Sequence, residues 1–246
     1  NIAGVCRLTV AGAAGTTITL RHAEALRPDG TLDVMSLKGA YNNHDRYTLA
    51  GRGAETFEAK FTYHGFRYVE ISGAPSSEAI RDLTALAFGS DLRKTTTLTA
   101  SDPKIEALGT IIDRTYRSNM MGLIVDVAGR DERMCFLGDC FTDEIQSLAY
   151  LYDFAAFGAH ENREIVDLSG SNGYPWLALK WRPEAETPAE AGWTDASVTT
   201  PWFLWVHYAD RRALEVAYPG AARFMDTILR ENPGHLPERL YKAKFG

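Results

Sequence analysis

The spacing of apolar residues changes near residue 95, and this change limits the chain to a β region followed by a helical region. Before it, short segments such as Val5–Val10 and Thr16–Ala23 alternate between apolar and polar residues. Turn residues such as Pro28-Asp29-Gly30 separate these segments. Alternation places every second side chain on the same face of a strand. Residues 1–95 are therefore predicted to form an antiparallel β-sandwich domain, in which each sheet buries one face.

Four further segments of this region alternate in the same way and are predicted as strands: Arg46–Leu49, Phe57–Phe61, Phe66–Ile71 and Leu83–Phe88. No helix is expected as a main core element within residues 1–85. The switch of period places the boundary between the two regions between residues 88 and 103.

After residue 95 the apolar residues recur about every 3.6 positions, which indicates amphipathic helices. The sequence Ser101-Asp102-Pro103 is typical of a helix start, because a capping side chain precedes a proline in the first turn. The helix that follows is predicted to pack through one apolar face, formed by Ile105, Leu108, Ile111, Ile112 and Tyr116.

Four more helices are predicted, over about 139–157, about 160–168, from about Ala196 with Pro201 in its first turns or at a kink, and over about 210–230. The last should pack through Leu214, Phe224, Met225, Ile228 and Leu229. Short connections between helices indicate antiparallel neighbours. The segment 183–188 is predicted as an exposed acidic loop.

Composition and charge exclude several classes of partner. The chain has 246 residues, 45% of them hydrophobic, and a net charge of -6, so no nucleic-acid partner is predicted. It contains no apolar run of the roughly 18 to 20 residues that span a membrane, and no signal-peptide pattern. Because the chain opens without a methionine, it is treated as a piece that could begin inside a longer gene, and cytoplasmic and secreted locations both stay open.

The three cysteines do not predict a metal site or a disulfide framework. Cys6, Cys135 and Cys140 are too few and too unevenly spaced for either arrangement. A pair between Cys135 and Cys140 is possible by spacing, but buried free thiols are favoured. No cofactor and no metal are predicted.

The densest polar segment extends from Asp126 to Asp139 and contains Arg130-Asp131-Glu132-Arg133. One interpretation is a solvated loop whose charges form surface ion pairs. The other is a cleft, because apolar runs on both sides place the charges where the chain enters and leaves a core. Buried carboxylates need partners, which Arg130 and Arg133 can supply. Neighbouring carboxylates can raise the pKa of a carboxyl group in such a cleft, which suits a general acid.

A second polar cluster combines an indole with a carboxylate directly before a predicted helix. Trp193 and Asp195 lie in the sequence Gly192–Ala196. Proteins bind sugars with this combination, because the ring stacks on C–H faces while the carboxylate accepts hydroxyl hydrogens. The alternative is a core tryptophan beside a helix N-cap aspartate. The residues alone favour neither interpretation.

These segments, taken together, resemble the bacterial α-L-rhamnosidases of glycoside hydrolase family 78. The resemblance covers residues 1 to about 230, in the order and with the spacing of the family. The motifs that carry it are Leu20–Glu24 through Pro28–Leu32, Phe61–Glu70, Arg130–Arg133 with Gly138-Asp139, Gly192–Ala196, Ala209–Arg212 and Leu214-Glu215.

The resemblance implies an inverting hydrolase whose β-sandwich is followed by an (α/α)6 barrel, so residues 96–246 would be the N-terminal part of that barrel. It implies that Glu132 is the general acid. It also implies a rhamnose pocket, lined by Asp126, Arg130, Asp139, Trp193 and Asp195. His22 and His64 lie in sandwich motifs, and a structural role is predicted for both.

The sequence departs from the family pattern in two places. Val127-Ala128-Gly129 stands where the family usually has Cys-Pro-Gln, and Cys135-Phe136 stands where it usually has Gly-Trp. The second change alters the aromatic wall of the implied pocket, which puts strict rhamnose specificity in doubt.

The chain has room after residue 100 for about half of the twelve helices in such a barrel. The general base is therefore expected outside this chain, and the missing C-terminal part of the barrel is its expected partner. Glu215 and Glu231 are predicted to lie on helix surfaces rather than to act as the base. Two other functions stay open: a carbohydrate-binding fragment without catalysis, and a related inverting (α/α)6 hydrolase that acts on another sugar.

Overall fold

The computed structural model describes residues 1–34, 43–130, 132–139, 144–171, 173, 175, 178–179 and 192–234. The predictions for Asp131, Cys140 and the loop 183–188 lie outside these residues. The chain forms two compact units. The first contains residues 1–90, 107–121 and 127–133; the second contains residues 91–106, 122–126 and 134–246. Two segments from the predicted helical domain therefore group with the sandwich residues, and the domain division after residue 95 stays a prediction.

Two antiparallel sheets organise the first unit. In one sheet, β1 (Ile2–Ala11) pairs with β9 (Ile80–Ala87) along one edge, and with β6 (Ala54–Glu58) and β7 (His64–Phe66) along the other. In the other sheet, β2 (Thr17–Ala23) lies between β5 (His44–Thr48) and β8 (Tyr68–Ser72). A short pair, β3 (Ala25–Leu26) and β4 (Leu32–Asp33), follows β2.

The core of this unit forms from the alternate residues that the sequence pattern selects. Leu8 and Val10 on β1 and Ile18 and Leu20 on β2 are almost completely buried, and they pack in one cluster with Cys6, Leu49 and Phe66. Among the described residues up to 85, the helical structure is a single 3₁₀ turn at Ser77–Ala79. The predicted antiparallel β region is confirmed.

Two of the predicted strands differ from the structure: one is divided between the two sheets, and the other ends early. Alternation continues through Phe66–Ile71, but the chain changes sheets at Arg67, so that β7 pairs with β1 and β8 pairs with β2. The backbone N–H of Arg67 donates to Ala23 O at 2.9 Å, which satisfies it at the crossing. The predicted strand Phe57–Phe61 ends at Glu58, and Phe61 is fully exposed with a left-handed φ of 59°.

Among the described residues after the sandwich, the α-helices are α1 (Pro103–Asn119), α2 (Glu144–Leu151), α3 (Ala155–Asp167), α4 (Ala196–Tyr208) and α5 (Arg211–Glu231). In the second unit α3, α4 and α5 pack on one another and α2 packs on α4. A short antiparallel pair, β10 (Cys135–Phe136) and β11 (Ala178–Leu179), belongs to the same unit. None of the described helices combines the length and hydropathy needed to cross a membrane. Cys6 and Cys135 are buried free thiols, as predicted.

The predicted break between the second and third helices is wrong by several residues. The structure places it at residues 152–154, where the backbone forms hydrogen bonds with residues 93–95 instead of continuing the helix. Asp153 N donates to Arg93 O at 2.8 Å, and Thr95 N donates to Leu151 O at 2.9 Å. Hydrogen bonds to an extended segment compete here with the helical ones.

The predicted apolar face of α1 contains no buried residue, and that of α5 is only partly buried. On α1, four members of the stripe are exposed, from 38% for Ile112 to 60% for Ile111. On α5, Phe224 is buried but Met225 and Leu229 are exposed by 43% and 47%. The buried side of α5 carries small residues instead, Ala213 and Ala217. Small side chains let α3 approach the α5 backbone, and Asn162 Nδ2 donates to Ala213 O at 3.2 Å.

We expect Leu8→Ala to lower the free energy of unfolding by about 2 to 5 kcal/mol, because Leu8 is completely buried in the sandwich core. Leu83→Ala is the matched control. Leu83 lies opposite Leu8 in the β1–β9 pair but is 41% exposed, so the same deletion should have less than half the effect. Urea unfolding of the 246-residue chain measures both changes, and equal losses would contradict the assignment of the core.

Candidate functional site

The predicted general acid lies in a loop that belongs to the sandwich unit. Residues 127–133 group with residues 1–90. Glu132 Oε2 lies 2.7 Å from Arg130 Nη2, with side chains exposed by 22% and 40%. The structure therefore brings together two of the predicted site residues, and leaves the carboxyl accessible to a ligand.

Arg133, the neighbour of Glu132, anchors this loop. Its guanidinium donates from Nε to Arg130 O at 2.7 Å, from Nη1 to Tyr63 O at 2.6 Å and from Nη2 to Asn43 Oδ1 at 3.0 Å. The guanidinium carbon also lies 5.0 Å from the centroid of the Tyr63 ring, within cation–π range. Arg133 has a φ of 49°, a left-handed conformation that is uncommon for a side chain of this size. The three hydrogen bonds that the guanidinium donates offset the energetic cost of that conformation.

Beneath the loop, two histidines from the sandwich motifs meet in a buried cluster. The rings of His22 and His64 stack with centroids 4.1 Å apart and an angle of 12° between their planes. Asp45 Oδ1 lies 3.0 Å from His64 Nε2, and Asp45 Oδ2 lies 4.0 Å from His22 Nε2. Both histidines are about 1% exposed or less, which agrees with the structural role predicted for them.

This cluster has the residue types of a metal site, but its geometry does not suit one. An ion bound by an imidazole nitrogen lies near the plane of that ring, along the lone pair. The His22 and His64 planes are nearly parallel and stacked, so one ion cannot lie in both planes. At most one histidine together with Asp45 could hold an ion without a rotation of the other ring.

Asn43 connects the histidine cluster to the loop. Its backbone carbonyl lies 3.0 Å from the backbone N of His22 and 3.3 Å from His22 Nδ1. Its side-chain Nδ2 donates to Gly129 O at 3.2 Å, while its Oδ1 accepts from Arg133. Asn43 is 4% exposed, so these bonds are shielded from solvent.

In the second unit, Trp193 packs on the glycine before Asp139. A Cβ atom added to Gly138 would lie 2.6 Å from the indole, so any larger residue would displace the ring. Asp139, the next residue, is exposed. The structure thus brings the predicted Trp193 and the segment of the predicted Asp139 together.

Asp126 and Asp195 both accept backbone hydrogen bonds. Asp126 Oδ1 accepts from Met134 N at 3.0 Å, and Asp126 N donates to Met134 O at 3.0 Å, so the ends of the 127–133 segment are joined. Asp195 occupies the N-cap position of α4, but its side chain makes no capping bond; its Oδ2 accepts from Gly192 N at 2.8 Å. Asp195 therefore stands at the N-cap position that the sequence suggested, but its side chain does not make the hydrogen bond of an N-cap.

Three polar residues of the structure were not selected from the sequence. Asn43 and Asp45 lie at or near the start of β5, where nothing in the alternation marks them. Glu161 is completely buried on α3 and accepts a hydrogen bond from Ile124 N at 2.7 Å. A signal for Glu161 exists: Phe157 and Ile165 lie four residues before and after it, on the same helix face.

The comparisons with known proteins agree with this architecture. Residues 1–88 match the bacterial α-L-rhamnosidase concanavalin-like domain, and residues 93–246 match the bacterial α-L-rhamnosidase 6 hairpin glycosidase domain. The chain therefore belongs to the bacterial α-L-rhamnosidase family, as the motif series predicted.

Individual relatives show the same likeness. An α-L-rhamnosidase of Streptomyces avermitilis is 34% identical over 238 residues, which are 96% of this chain and 23% of that protein. The structure of α-L-rhamnosidase from Dictyoglumus thermophilum superposes with a TM-score of 0.89 at 28% identity, covering 98% of this chain and 27% of that one. The Streptomyces avermitilis enzyme complexed with L-rhamnose superposes with a TM-score of 0.84 at 34% identity, covering 94% and 22%. The chain thus spans about a quarter of the length of these relatives.

We expect His22→Gln to reduce the loss of stability on acidification. Burial first, and then the charge of His64, lower the pKa of His22 from 6.5 to about 4. Because the pKa of His22 is lower in the folded state than in the unfolded state, the unfolded state binds a proton more readily below about pH 6.5. The free energy of unfolding is therefore unaffected by His22 above about pH 6.5 and decreases as the pH falls towards 4. The loss is roughly 3 kcal/mol for a shift of this size. Urea unfolding between about pH 7.5 and pH 4.5 measures it. His160→Gln, on the exposed face of α3, is the control: a change of the pH slope as large as that of His22→Gln would contradict the assignment to the buried histidine.

We expect Glu161→Gln to stabilise the chain at alkaline pH. Burial raises the pKa of the Glu161 carboxyl from 4.5 to about 8. The folded state therefore favours the protonated form, and stability falls as the pH rises from about 4.5 to about 8. Glutamine keeps an acceptor for Ile124 N without the ionisation, so the gain should grow with pH to a few kcal/mol. Thermal unfolding at about pH 5 and pH 8 measures it; a gain of the same size from Glu164→Gln, on the exposed side of α3, would contradict this assignment.

Proposed function

We propose that the protein containing this chain hydrolyses terminal α-L-rhamnosides with inversion, and that Glu132 is its general acid. The observation that carries the proposal is the placement of Glu132: an accessible carboxyl in a loop whose adjacent residue, Arg133, is fixed by three hydrogen bonds. A general acid must be held within hydrogen-bond reach of the leaving oxygen. The relatives named α-L-rhamnosidase support the substrate class.

The proposed rhamnose pocket combines Asp126, Arg130, Asp139, Trp193 and Asp195. Trp193 packs on Gly138, the residue before Asp139, and an indole ring in this position would suit the C–H faces and the methyl group of a deoxy sugar. The carboxylates would accept hydroxyl hydrogens. A structure of the full-length protein with rhamnose bound tests whether these residues contact one ligand.

The ion pair between Arg130 and Glu132 has a role in this scheme. A guanidinium next to a carboxyl group stabilises its ionised form, whereas a general acid must carry a proton. When Arg130 donates instead to a sugar hydroxyl, the Glu132 carboxylate loses its cationic partner and takes up a proton from solvent, which it can then transfer to the glycosidic oxygen. Substrate binding would therefore convert an ion pair into two separate contacts with the sugar.

The general base is assigned to residues outside this chain. Inversion needs a second carboxyl group roughly 6.5 to 9.5 Å from the acid, with a water between them. Glu215 and Glu231 lie on the surface of α5, paired with Arg211 at 2.8 Å and with Arg230 at 3.3 Å. The Streptomyces avermitilis relative is about four times as long as the matched region, which leaves room for the remaining helices of a barrel.

We expect the 246-residue chain alone to have little or no rhamnosidase activity, and the full-length protein that includes it to be active. Without a base, the attacking water is not activated, which costs about 10² to 10⁴ in rate. Hydrolysis of an aryl α-L-rhamnoside by both proteins tests this expectation. Robust turnover by the short chain would mean that it contains a base.

Glu132→Gln in the full-length protein is the control for the acid. It should lower the rate on a substrate with a poor leaving group by about 10² or more, with binding of rhamnose retained. Undiminished activity would contradict the assignment of Glu132 and the family mapping with it. Rhamnose binding without turnover by the full-length protein would favour the carbohydrate-binding alternative, and turnover of another α-glycoside only would favour a different sugar specificity.

A further inference from the structure

Residues 127–133, which we call the acid loop because they include Glu132, are held on the sandwich by contacts with residues outside the implied rhamnose pocket. The first contact is between two backbones. A Cβ atom added to Gly65 on β7 would lie 2.5 Å from Gly129 N and 2.6 Å from Ala128 C. No side chain other than hydrogen fits between strand and loop at this point, so β7 forms the floor of the loop.

The second contact is the pair of hydrogen bonds made by the Asn43 side chain. Its Nδ2 donates to Gly129 O, at the start of the acid loop, and its Oδ1 accepts from Arg133, at the end. One buried amide thus joins the residues on either side of Arg130 and Glu132. The backbone of Asn43 is also held, because the backbone N and the ring Nδ1 of His22 both lie within hydrogen-bond distance of its backbone carbonyl oxygen.

The third contact is the Arg133 guanidinium, which joins the loop to the 43 and 63 positions of the sandwich. A lysine could keep the positive charge but could not make three bonds in the plane of a guanidinium. Because Arg133 is adjacent to Glu132 in the chain, a change in its orientation changes the direction of the Glu132 side chain.

We propose that Asn43 and Arg133 are positioning residues for the general acid, so that the sandwich takes part in catalysis by fixing the acid loop. This inference rests on the proposed function. Neither residue belongs to the proposed rhamnose pocket. Their effect is on geometry, and a displacement of about 1 Å at a catalytic group can cost about 10² in rate.

The test uses leaving groups of different acidity, because a good leaving group departs without a proton from the enzyme. Asn43→Ala and Arg133→Lys are made in the full-length protein and assayed on phenyl and 2,4-dinitrophenyl α-L-rhamnosides. We expect kcat on the phenyl substrate to fall by about 10- to 100-fold. KM should stay within about twofold, and kcat on the dinitrophenyl substrate within about threefold, of the parent enzyme.

Arg7→Lys is the matched control for the arginine substitution. Arg7 on β1 forms an exposed ion pair with Glu58 at 2.9 Å, far from the loop in sequence. Both substrates should be turned over as by the parent enzyme. Retained turnover of the dinitrophenyl substrate also shows that each variant is folded.

Glu132→Gln separates failure of this inference from failure of the proposed function. If Glu132→Gln shows no selective loss on the phenyl substrate, the acid assignment is wrong. If Glu132→Gln shows that loss but Arg133→Lys is unchanged on both substrates, or loses both equally, the positioning role is wrong and the acid assignment stands. A selective loss in Arg133→Lys supports the positioning role even where Asn43→Ala fails to fold.

Discussion

The close approach of two backbones at Gly65 determines where the charged loop of this protein can lie. At this point β7 and residues 128–129 are in contact with no side chain between them. Contact at this distance excludes water from the polar groups beside it, so each of them needs a protein partner. Asn43 and Arg133 provide these partners for the loop backbone. His22 of the histidine cluster in turn contacts the Asn43 carbonyl, so the loop is linked to a buried polar layer within the sandwich.

That layer also explains why β7 and β8 belong to different sheets. His64 on β7 has to face His22 on β2 across the interior, and Asp45 on β5 closes the group. The chain then crosses to the second sheet at Arg67, which places β8 beside β2. A continuous strand through residue 67 could not pair with both β1 and β2. The sheet change is thus the means by which one short motif contributes to both layers.

Sequence periodicity predicted the strands and helices well, and predicted their partners poorly. Alternation identified β1 and β2 because a strand with one buried face must alternate. The alternation did not reveal the sheet change at Arg67, because the chain alternates between apolar and polar residues on both sides of the crossing. On α1 the apolar stripe is present but exposed, because amphipathicity indicates a face and does not indicate what covers it. Glu132 and Arg130 were found together because they are close in sequence; Asn43 and Asp45 were missed because their contacts join residues about 20 to 90 positions apart, which no local pattern records.

The contact between Gly65 and the loop has a consequence for recombining members of this family. A chimera joined near residue 95 would respect the apparent border between sandwich and helices. It would nevertheless take Asn43 and Gly65 from one parent and Gly129 and Arg133 from the other. The loop and the strand it packs on would then come from different parents. A larger residue at position 65 or 129 would push the loop away from β7 and displace Glu132. An exchange that moves residues 127–133 together with the sandwich keeps the matched surfaces in one block.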